Sequence, residues 1–313
     1  MNSKKLNFAI IGAGVISQYY LKAIKENKDI SLVAVCDANP SKSSIATNLG
    51  INFYSQYTEM IETEKIDCVT VLTPNSTHYG IIDDCISKNM NILCEKPLCI
   101  NYEQTLDLVK KAEKKNLLLI TAYHRTFNNK IRKLIDFSKK KKIKSLHIKY
   151  LEDINKHSFG ENWYLDKSKS GGGCLLDNGF NVINILQNLL GDLNLQFSEL
   201  GYNRSSNLDC EVRAFVKMLN PEGSVGTFEL DWLYDGEDKS LSVCYANGDV
   251  ANIDLLAGYK KFKGSLWHEY KNLVKNVVLQ LKNEREHSEL LTLSASRLID
   301  EIYSLDSLRN KYS

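Results

Sequence analysis

Over the first 122 residues, short apolar runs alternate with amphipathic segments. The apolar runs predict strands at Asn7–Ile11, Leu32–Cys36, Cys68–Leu72, Ile92–Cys94 and Leu117–Ala122. Helical patterns lie between them, near residues 15–27, 41–49, 77–89 and 101–115. The third and fifth runs lack polar alternation, as expected of strands that are buried on both faces. Strands that alternate with helices in this way predict an α/β domain with a doubly wound parallel sheet.

The pattern changes after residue 122. A predicted helix near residues 127–141 leads into strands with more polar alternation, at Lys144–Glu152, Leu195–Tyr202, Glu211–Leu219, Ser224–Leu230, Leu241–Tyr245 and Val250–Leu255. Further helices are predicted near residues 177–190, 266–282 and 289–310. We therefore predict two domains, 1–122 and 123–313. The second is an α+β domain on a mostly antiparallel open sheet. For its last helix, packing on the first domain is an open alternative to packing within the second.

Length, net charge and cysteine spacing limit the kinds of molecule that this protein is expected to bind. The length of 313 residues suits two domains, and the net charge of +2 gives no reason to expect a nucleic acid or an anionic membrane. The basic run 139–142 is interpreted as the solvated end of a helix. The eight cysteines include no C-x-x-C pair, which favours a reduced, cytoplasmic protein with no disulfide framework and no metal site. No stretch approaches the ~18 apolar residues of a membrane span.

A glycine turn follows the first predicted strand and opens the first predicted helix. It reads Gly12-Ala13-Gly14-Val15-Ile16-Ser17, with serine where the dinucleotide-binding fingerprint has its third glycine. Asp37 ends the second predicted strand, where an acidic side chain accepts hydrogen bonds from the adenosine ribose and repels a 2′-phosphate. These features predict a Rossmann site for NAD, with NADP as an alternative because Lys42 lies close by. The other open interpretation is a glycine turn that binds no dinucleotide.

Two further segments follow predicted strands and are expected to line the same site. In Thr73-Pro74-Asn75-Ser-Thr-His78, the backbone is expected to lie near the cofactor. We interpret His78 as an orienting or structural residue, with a catalytic role as the alternative. The run Ile-Leu-Cys-Glu95-Lys96-Pro places a lysine at a strand end, where ligands of open α/β sheets bind. Lys96 is therefore predicted to be catalytic; the alternative is that it pairs with Glu95 to hold the loop.

The second domain has one segment dense in polar residues and glycine. It begins with Trp163-Tyr-Leu-Asp and continues through three consecutive glycines to Asp177-Asn-Gly-Phe-Asn181-Val-Ile-Asn184. We expect the glycines to let the chain pass close to a ligand or to the first domain. A helix that starts near Asp177 would align it with Asn181 and Asn184 on one polar face, which suggests a sugar or polyol site. A solvent-facing stripe with Asp177 as a helix cap remains the alternative.

Together, these motifs resemble the Gfo/Idh/MocA oxidoreductases, named for glucose–fructose oxidoreductase and inositol dehydrogenase. The resemblance rests on GAGVIS, TPNSTH, the Glu95-Lys-Pro97 triplet and the WYLD…GGGCLLDNG segment, in that order over nearly the whole chain. It implies NAD(P)-dependent oxidation or reduction of a sugar, cyclitol or nucleotide sugar. It also implies that Lys96 and Asp177 are active-site residues, and that the second sheet forms the face of a homodimer or homotetramer.

The chain departs from the family pattern at two positions. The family usually has histidine where this chain has Asn181, and often an aspartate where it has Asn184. An asparagine amide cannot exchange a proton near neutral pH as histidine does. Lys96 and Asp177 are then the remaining groups to manage the proton, with the lysine pKa expected to fall from ~10.4 beside a cationic nicotinamide. Asn181 is predicted to fix a substrate hydroxyl.

Further substrate contacts are predicted from Asn184, Trp163, Tyr123 and Arg125. Family members that oxidise galactose or arabinose at C1 are similar in carrying Asp-x-Gly-x-Asn, and the greater acidity of an anomeric hydroxyl suits a site that lacks the usual histidine. Those members tend to have a second proline after Glu-Lys-Pro, where this chain has Leu98. The predicted activity is therefore a sugar dehydrogenase, with an aldose at C1 as the specific hypothesis. The alternatives are a nucleotide-sugar or cyclitol dehydrogenase or ketoreductase, and a non-catalytic NAD-binding protein.

Overall fold

The protein forms two compact units in a computed structural model. The structure describes residues 5–157, 162–203, 209–259, 263–282 and 289–312. The first unit comprises residues 1–99, 103–122 and 266–290. The second comprises residues 100–102, 123–265 and 291–313. The chain thus crosses from one unit to the other after Ala122, and one helical segment from near its end is grouped with the first unit.

The first unit contains a six-stranded parallel sheet. Its strands are β1 Leu6–Ile11, β2 Ile30–Cys36, β3 Asn52–Tyr54, β4 Cys68–Val71, β5 Asn91–Cys94 and β6 Leu119–Thr121. Their order in the sheet is β3-β2-β1-β4-β5-β6, with every pairing parallel. All four residues of β4 are buried, as its unbroken apolar run predicts. The predicted doubly wound sheet is confirmed, and β3 is an additional short edge strand.

Helices of the first unit connect these strands. They are α1 Ser17–Lys25, α2 Ser43–Leu49, α3 Tyr57–Thr63, α4 His78–Ser87, α5 Tyr102–Lys114 and, from near the chain end, α10 Leu266–Lys282. The helix α10 belongs here because it packs on α1. The ring of Tyr270 lies with its centroid 5.6 Å from that of Tyr19 and 4.8 Å from that of Tyr20. The helix that joins the first unit is therefore this one, whereas the last helix lies in the second unit.

The second unit contains a mixed six-stranded sheet. Its strands are β7 Ile143–Asp153, β8 Asn194–Tyr202, β9 Glu211–Leu219, β10 Val225–Asp231, β11 Leu233–Tyr245 and β12 Val250–Asp254. They are ordered β12-β11-β7-β10-β9-β8, and only the central β7–β10 pair is parallel. The mostly antiparallel sheet is thus confirmed. Strand β11 starts eight residues earlier than the hydrophobic pattern indicates, because the early part of the strand, from Leu233 to Gly236, is exposed.

One face of this sheet is covered by helix. The helices of the unit are α6 Asn129–Ser138, α7 Ile154–His157, α8 Lys167–Ser170, α9 Phe180–Leu190 and α11 Glu289–Tyr312. Helix α9 packs its predicted apolar side into the core, where Ile183 and Leu186 are fully buried. On the other face of the sheet Phe197 and Phe215 are exposed, with ring centroids 6.2 Å apart. Assembly through that face stays a prediction.

Seven of the eight cysteines are buried, and all eight are free thiols. Their burial explains why they behave as small apolar residues of the two cores. No helix within the described parts of the chain combines the length and the apolar character that a bilayer crossing needs.

Candidate active site

The glycine turn after β1 requires glycine at its first position. Gly12 has a φ of +97°, and a Cβ atom there would lie 2.7 Å from the backbone carbon of Leu72. The Gly12 N–H donates to the carbonyl of Cys36 at 2.8 Å. The left-handed φ and the close approach of the chain after β4 both exclude a side chain. The turn is therefore fixed against the two strands that flank β1 in the sheet.

Asp37 fastens the end of β2 to this turn. Its carboxylate accepts a hydrogen bond of 2.7 Å from the N–H of Ala13 and one of 2.8 Å from the N–H of Asn39. A carboxylate has about four acceptor positions, so two such bonds leave capacity for ribose hydroxyls. Asp37 thus has two functions that the sequence did not separate: it holds the turn and presents an acceptor beside it.

The start of α1 suits a dinucleotide phosphate. Ser17 replaces the third glycine and is buried, with its hydroxyl donating to the carbonyl of Gly14 at 2.7 Å. The residues Gly14, Val15 and Ile16 are partly exposed, and the first turn of α1 contains no acidic side chain. A helix N-terminus without a nearby carboxylate attracts phosphate. The residues present therefore fit the pyrophosphate and ribose of NAD.

His78 connects two loops that follow neighbouring strands. Its ring is fully buried, with Nδ1 2.9 Å from the carbonyl oxygen of Pro97 and Nε2 2.8 Å from that of Thr73. Burial lowers the pKa of His78, although the two carbonyls favour the charged form. A neutral imidazole donates to one of these carbonyls at a time. This geometry supports the structural interpretation: His78 positions the backbone of Thr73–Asn75 against that of the Lys96 loop.

Glu95 is held in the interior by two tyrosines. Its Oε1 accepts 2.8 Å hydrogen bonds from the hydroxyls of Tyr20 and Tyr270, and its Oε2 lies 3.2 Å from the N–H of Lys96. Burial raises the pKa of Glu95, and the charge of Lys96 partly offsets this effect. These bonds anchor Glu95 and, through it, the backbone of Lys96; a contact of Glu95 with the cofactor stays a prediction.

Lys96 itself is partly buried and precedes a cis peptide bond to Pro97. It lies just beyond β5, as Gly12 lies beyond β1, Asp37 beyond β2 and Thr73 beyond β4. Because these strands are parallel, their carboxyl ends lie at one edge of the sheet, which is the ligand-binding edge of this fold class. The first unit thus brings its predicted cofactor residues and Lys96 to a common edge.

In the second unit, Asp177 lies in a π-helical turn, Leu175–Gly179, that leads directly into α9. The side chains of Asn181 and Asn184 are 1% and 3% exposed, so the alternative of a solvent-facing stripe is excluded. Asn184 Oδ1 accepts a hydrogen bond of 2.5 Å from the hydroxyl of Thr126. This bond ties α9 to the segment after β6 and gives Asn184 a structural partner; a substrate contact for it stays a prediction.

The three glycines before this turn are explained by packing inside the second unit. A Cβ atom on Gly173 would lie 1.9 Å from the carbonyl oxygen of Glu211, and one on Gly172 would lie 2.4 Å from the hydroxyl of Tyr303. The Glu211 side chain also accepts hydrogen bonds from the N–H groups of Gly173 and Leu175, both at 3.0 Å. Gly172 and Gly173 thus allow close packing on α11 and β9 inside the second unit, and a close approach of this segment to a ligand stays a prediction.

Asn181 has a neighbour that the sequence patterns did not identify. Its Nδ2 lies 3.5 Å from Nε2 of His124, which is 5% exposed, and its Oδ1 is buried without a hydrogen-bond partner in the described residues. His124 is the third residue after β6, as Lys96 is the second residue after β5. A search of all strand ends for titratable residues would have found it.

A buried charged cluster adjoins Asp177. Glu152 receives a 2.8 Å hydrogen bond from Asn178 and forms a 2.9 Å ion pair with Lys239, whose side chain is 1% exposed. Burial alone would lower the pKa of Lys239, but the Glu152 carboxylate raises it well above its ordinary value. Burial lowers the pKa of Lys263 to about 8, with Asp177 among the charges that oppose this. The turn bearing Asp177 is thus tied to β7 and β11 through Asn178.

Three further predicted substrate residues also lie in the second unit. Arg125 is buried, and donates to the hydroxyls of Tyr150 and Ser265, both at 3.1 Å. Tyr123 is buried, whereas Trp163 is partly exposed and stacks on Tyr164 with ring centroids 3.8 Å apart. The bonds of Arg125 stabilise the unit from inside; substrate contacts for all three stay predictions.

Two family models match the chain. Residues 6–123 match the oxidoreductase family with an NAD-binding Rossmann fold, and residues 128–251 match the GFO/IDH/MocA C-terminal domain. The chain is 24% identical over 277 residues to 2,7-anhydro-N-acetylneuraminate hydratase of Escherichia coli, covering 84% of this chain and 72% of the relative. It is 32% identical over 136 residues to inositol 2-dehydrogenase of Rhizobium meliloti, covering 42% and 41% respectively.

Several other alignments with curated relatives are also partial, spanning between 34% and 42% of the relatives' own length. The fold is similar to the crystal structure of GenD2 from gentamicin A biosynthesis, solved in complex with NAD. That superposition has a TM-score of 0.88 at 17% identity and covers 97% of this chain and 95% of GenD2. The family models together span both units and most of their length. The chain therefore belongs to the Gfo/Idh/MocA family of NAD-dependent oxidoreductases.

Proposed function

We propose that this protein is a dehydrogenase that oxidises a ring hydroxyl of a free polyol, with Lys96 and Asp177 acting on the reacting hydroxyl and NAD as the hydride acceptor. The observation that carries the proposal is the buried amide of Asn181, whose Oδ1 has no partner among the described residues. A buried carbonyl oxygen left without a donor costs free energy of about 1–3 kcal/mol. A substrate hydroxyl supplies that donor.

The position of Asn181 supports a polyol in particular. It lies four residues after Asp177, so a carboxylate on the π-helical turn and an amide oxygen in the first turn of α9 belong to one continuous helical segment. Vicinal hydroxyl groups of a sugar or cyclitol ring match two such acceptors. The oxygen acceptors carry the recognition, and an uncharged ring with several hydroxyl groups is the ligand they select.

The chemistry divides between cofactor and protein. When bound, NAD accepts the hydride from the carbon that bears the reacting hydroxyl. The chain must hold the hydroxyl oxygen and remove its proton. The ammonium of Lys96 binds the oxygen and stabilises developing negative charge there, while the carboxylate of Asp177 orients the same hydroxyl and favours departure of its proton.

For the substrate, we propose an aldose oxidised at its anomeric carbon. Its support is the Asp-x-Gly-x-Asn pattern from Asp177 to Asn181, in which this chain resembles family members that oxidise galactose or arabinose at C1. A cyclitol is the second candidate, and the similarity to an inositol 2-dehydrogenase favours it.

A substrate panel separates these candidates. Purified protein is incubated with NAD and free aldoses, cyclitols or nucleotide-linked sugars, and the product is identified by mass spectrometry and NMR. A lactone from an aldose supports oxidation at C1, and an inosose supports the cyclitol reaction. Turnover restricted to nucleotide-linked sugars contradicts the proposed free-polyol substrate. The absence of turnover with the whole panel contradicts the proposed dehydrogenase.

A further inference from the structure

We propose that the imidazole of His124 is the proton acceptor of the second unit and replaces the histidine that the chain lacks at position 181. This inference rests on the proposed dehydrogenase activity and deepens it. The helix α9 offers Asn181 where a titratable group is expected, and an amide cannot take up a proton at neutral pH. The imidazole that lies against this amide comes from a different element, the segment after β6.

The geometry links the two side chains into one pair. His124 Nε2 and Asn181 Nδ2 are 3.5 Å apart, so the NH₂ arm of the amide faces the imidazole, and Oδ1 is the other arm of the same planar group. Both side chains are almost completely buried, at 5% and 1% exposure. The pair therefore combines a titratable nitrogen with an amide oxygen that has no partner among the described residues.

The two residues that follow His124 hold its segment in place. Arg125, the next residue, donates to Tyr150 and Ser265, both at 3.1 Å. One residue further on, Thr126 donates to Asn184 on α9. These bonds hold the segment on β7 and on α9, and thus fix the backbone that carries His124 next to Asn181.

In the proposed step the substrate loses one proton and one hydride. The O–H bond of the substrate breaks, and a new N–H bond forms at Nε2 of His124. The C–H bond of the carbon that bears this hydroxyl also breaks, and its hydride passes to NAD⁺. Lys96 holds the substrate oxygen, and Asn181 exchanges its long contact with the imidazole for a hydrogen bond to a neighbouring substrate hydroxyl. Asp177, one helical turn before Asn181, offsets the positive charge of the resulting imidazolium.

Two variants of His124 distinguish a proton acceptor from a residue that only supports Asn181. His124→Gln keeps a polar group at the end of the side chain, which still contacts Asn181 but does not titrate. General base catalysis is worth about 10²–10⁴ in rate, so kcat should fall at least ~100-fold while KM changes little. If His124 only supports Asn181, His124→Gln retains kcat and His124→Ala raises KM. That result overturns the proposal.

A reciprocal exchange makes the test independent of folding defects. The double variant His124→Gln/Asn181→His moves the imidazole onto α9, and should recover at least ~10-fold of the kcat lost in His124→Gln. No recovery in a double variant that melts like the wild type contradicts the proposal. His147, on the second sheet with its Nδ1 2.8 Å from the hydroxyl of Thr227, provides the control, and His147→Gln should leave kcat unchanged.

Ligand binding gives a readout that does not depend on turnover. The imidazole ¹⁵N signals of His124 should shift when a polyol is added to the protein with NAD, while those of His147 should not. If the wild type turns over no polyol but His124 responds to one, the proposed dehydrogenase activity fails and the ligand contact of His124 stands. If the His124 signals do not respond to a polyol that is turned over, the assignment of His124 is overturned.

Discussion

The carboxylate of Glu95 accepts a hydrogen bond of 2.8 Å from the hydroxyl of Tyr270, although 175 residues separate them in the chain. The hydroxyl of Tyr20, on α1, donates to the same oxygen at the same distance. Glu95 therefore links the end of β5 to two helices of the first unit. Because Lys96 is the next residue, this bonding fixes the backbone from which the predicted catalytic lysine extends.

The first prediction concerns the pH dependence of stability. Burial raises the pKa of Glu95 above its ordinary value of 4.5. A carboxyl group with a raised pKa in the folded state stabilises the protein fully below its unfolded pKa, and this contribution is lost as the pH rises through the folded pKa. Glu95→Gln remains neutral, so its free energy of unfolding should rise relative to wild type over that pH range.

Urea unfolding of both proteins from pH 4.5 upwards measures this difference. Glu62→Gln is the matched control for the loss of a carboxylate at the surface, because the side chain of Glu62 is 65% exposed. A difference for Glu95→Gln that does not change with pH would show that burial does not control the ionisation of Glu95.

A second prediction tests the packing of the glycine run. Gly173→Ala should destabilise the second unit by about 3 kcal/mol or more. The added methyl group would overlap the backbone oxygen of Glu211, and only a shift of the backbone would relieve that overlap. Gly80→Ala, in helix α4, is the matched control: no atom lies within 4 Å of its Cβ position, and alanine favours helix. Thermal unfolding compares the two, and equal melting temperatures would refute the proposed contact.

The choice of cofactor is tested at Asp37. Asp37→Ala should weaken NAD binding about tenfold, equivalent to ~1.4 kcal/mol, and reduce the preference for NAD over NADP. Asp37→Asn retains one oxygen for the N–H of Ala13, so it controls for loosening of the glycine turn. Calorimetric dissociation constants for both cofactors decide the matter. An unchanged ratio of the two constants in Asp37→Ala would contradict the prediction that Asp37 binds the adenosine ribose.

Lys96→Ala should abolish hydride transfer while leaving the melting temperature and NAD affinity close to wild type. The reason is that Glu95, rather than Lys96, accepts the buried tyrosine bonds that hold this loop. Lys88→Ala serves as the control, because Lys88 is a surface residue with a 3.5 Å ion pair to Glu62. A variant that melts earlier but retains the turnover of its folded fraction would instead support a loop-holding function for Lys96.

The predictions for Asp177 and Asn181 differ in the kinetic constant that they affect. Asn181→Ala should raise KM, because it removes the acceptor of a substrate hydroxyl. Asp177→Asn should lower kcat far more strongly, since an amide at this position cannot offset positive charge during proton departure. Steady-state kinetics separate the two effects. Equal losses of kcat in both variants would contradict the division of labour proposed for them.

The sequence predicts most of this fold because its strands are apolar runs of ordinary length with clear boundaries. It does not reveal β3, a three-residue edge strand whose first residue, Asn52, is exposed, or the following helix α3, which has no side-chain cap. Local pattern is weak in both elements, and contacts with β2 specify them.

The candidate site was predicted where motifs mark it and missed where it depends on distant contacts. Gly12, Asp37 and Lys96 follow strand ends that the sequence defines, so the shared edge of the parallel sheet could be predicted. His124 lies next to Asn181 across a separation of 57 residues, and no local pattern encodes that contact. The contact of the glycine run with Glu211 could not be predicted for the same reason, because Glu211 lies on a strand that is remote in sequence.

The most direct test of the proposed dehydrogenase is hydride transfer itself. A polyol that carries deuterium on the reacting carbon is incubated with NAD and wild-type protein, and the nicotinamide product is analysed by NMR. We predict deuterium at C4 of the nicotinamide ring with wild type, and less than about 1% of that rate with Lys96→Ala. NADH that contains no deuterium, or equal transfer by Lys96→Ala, would contradict the proposed function.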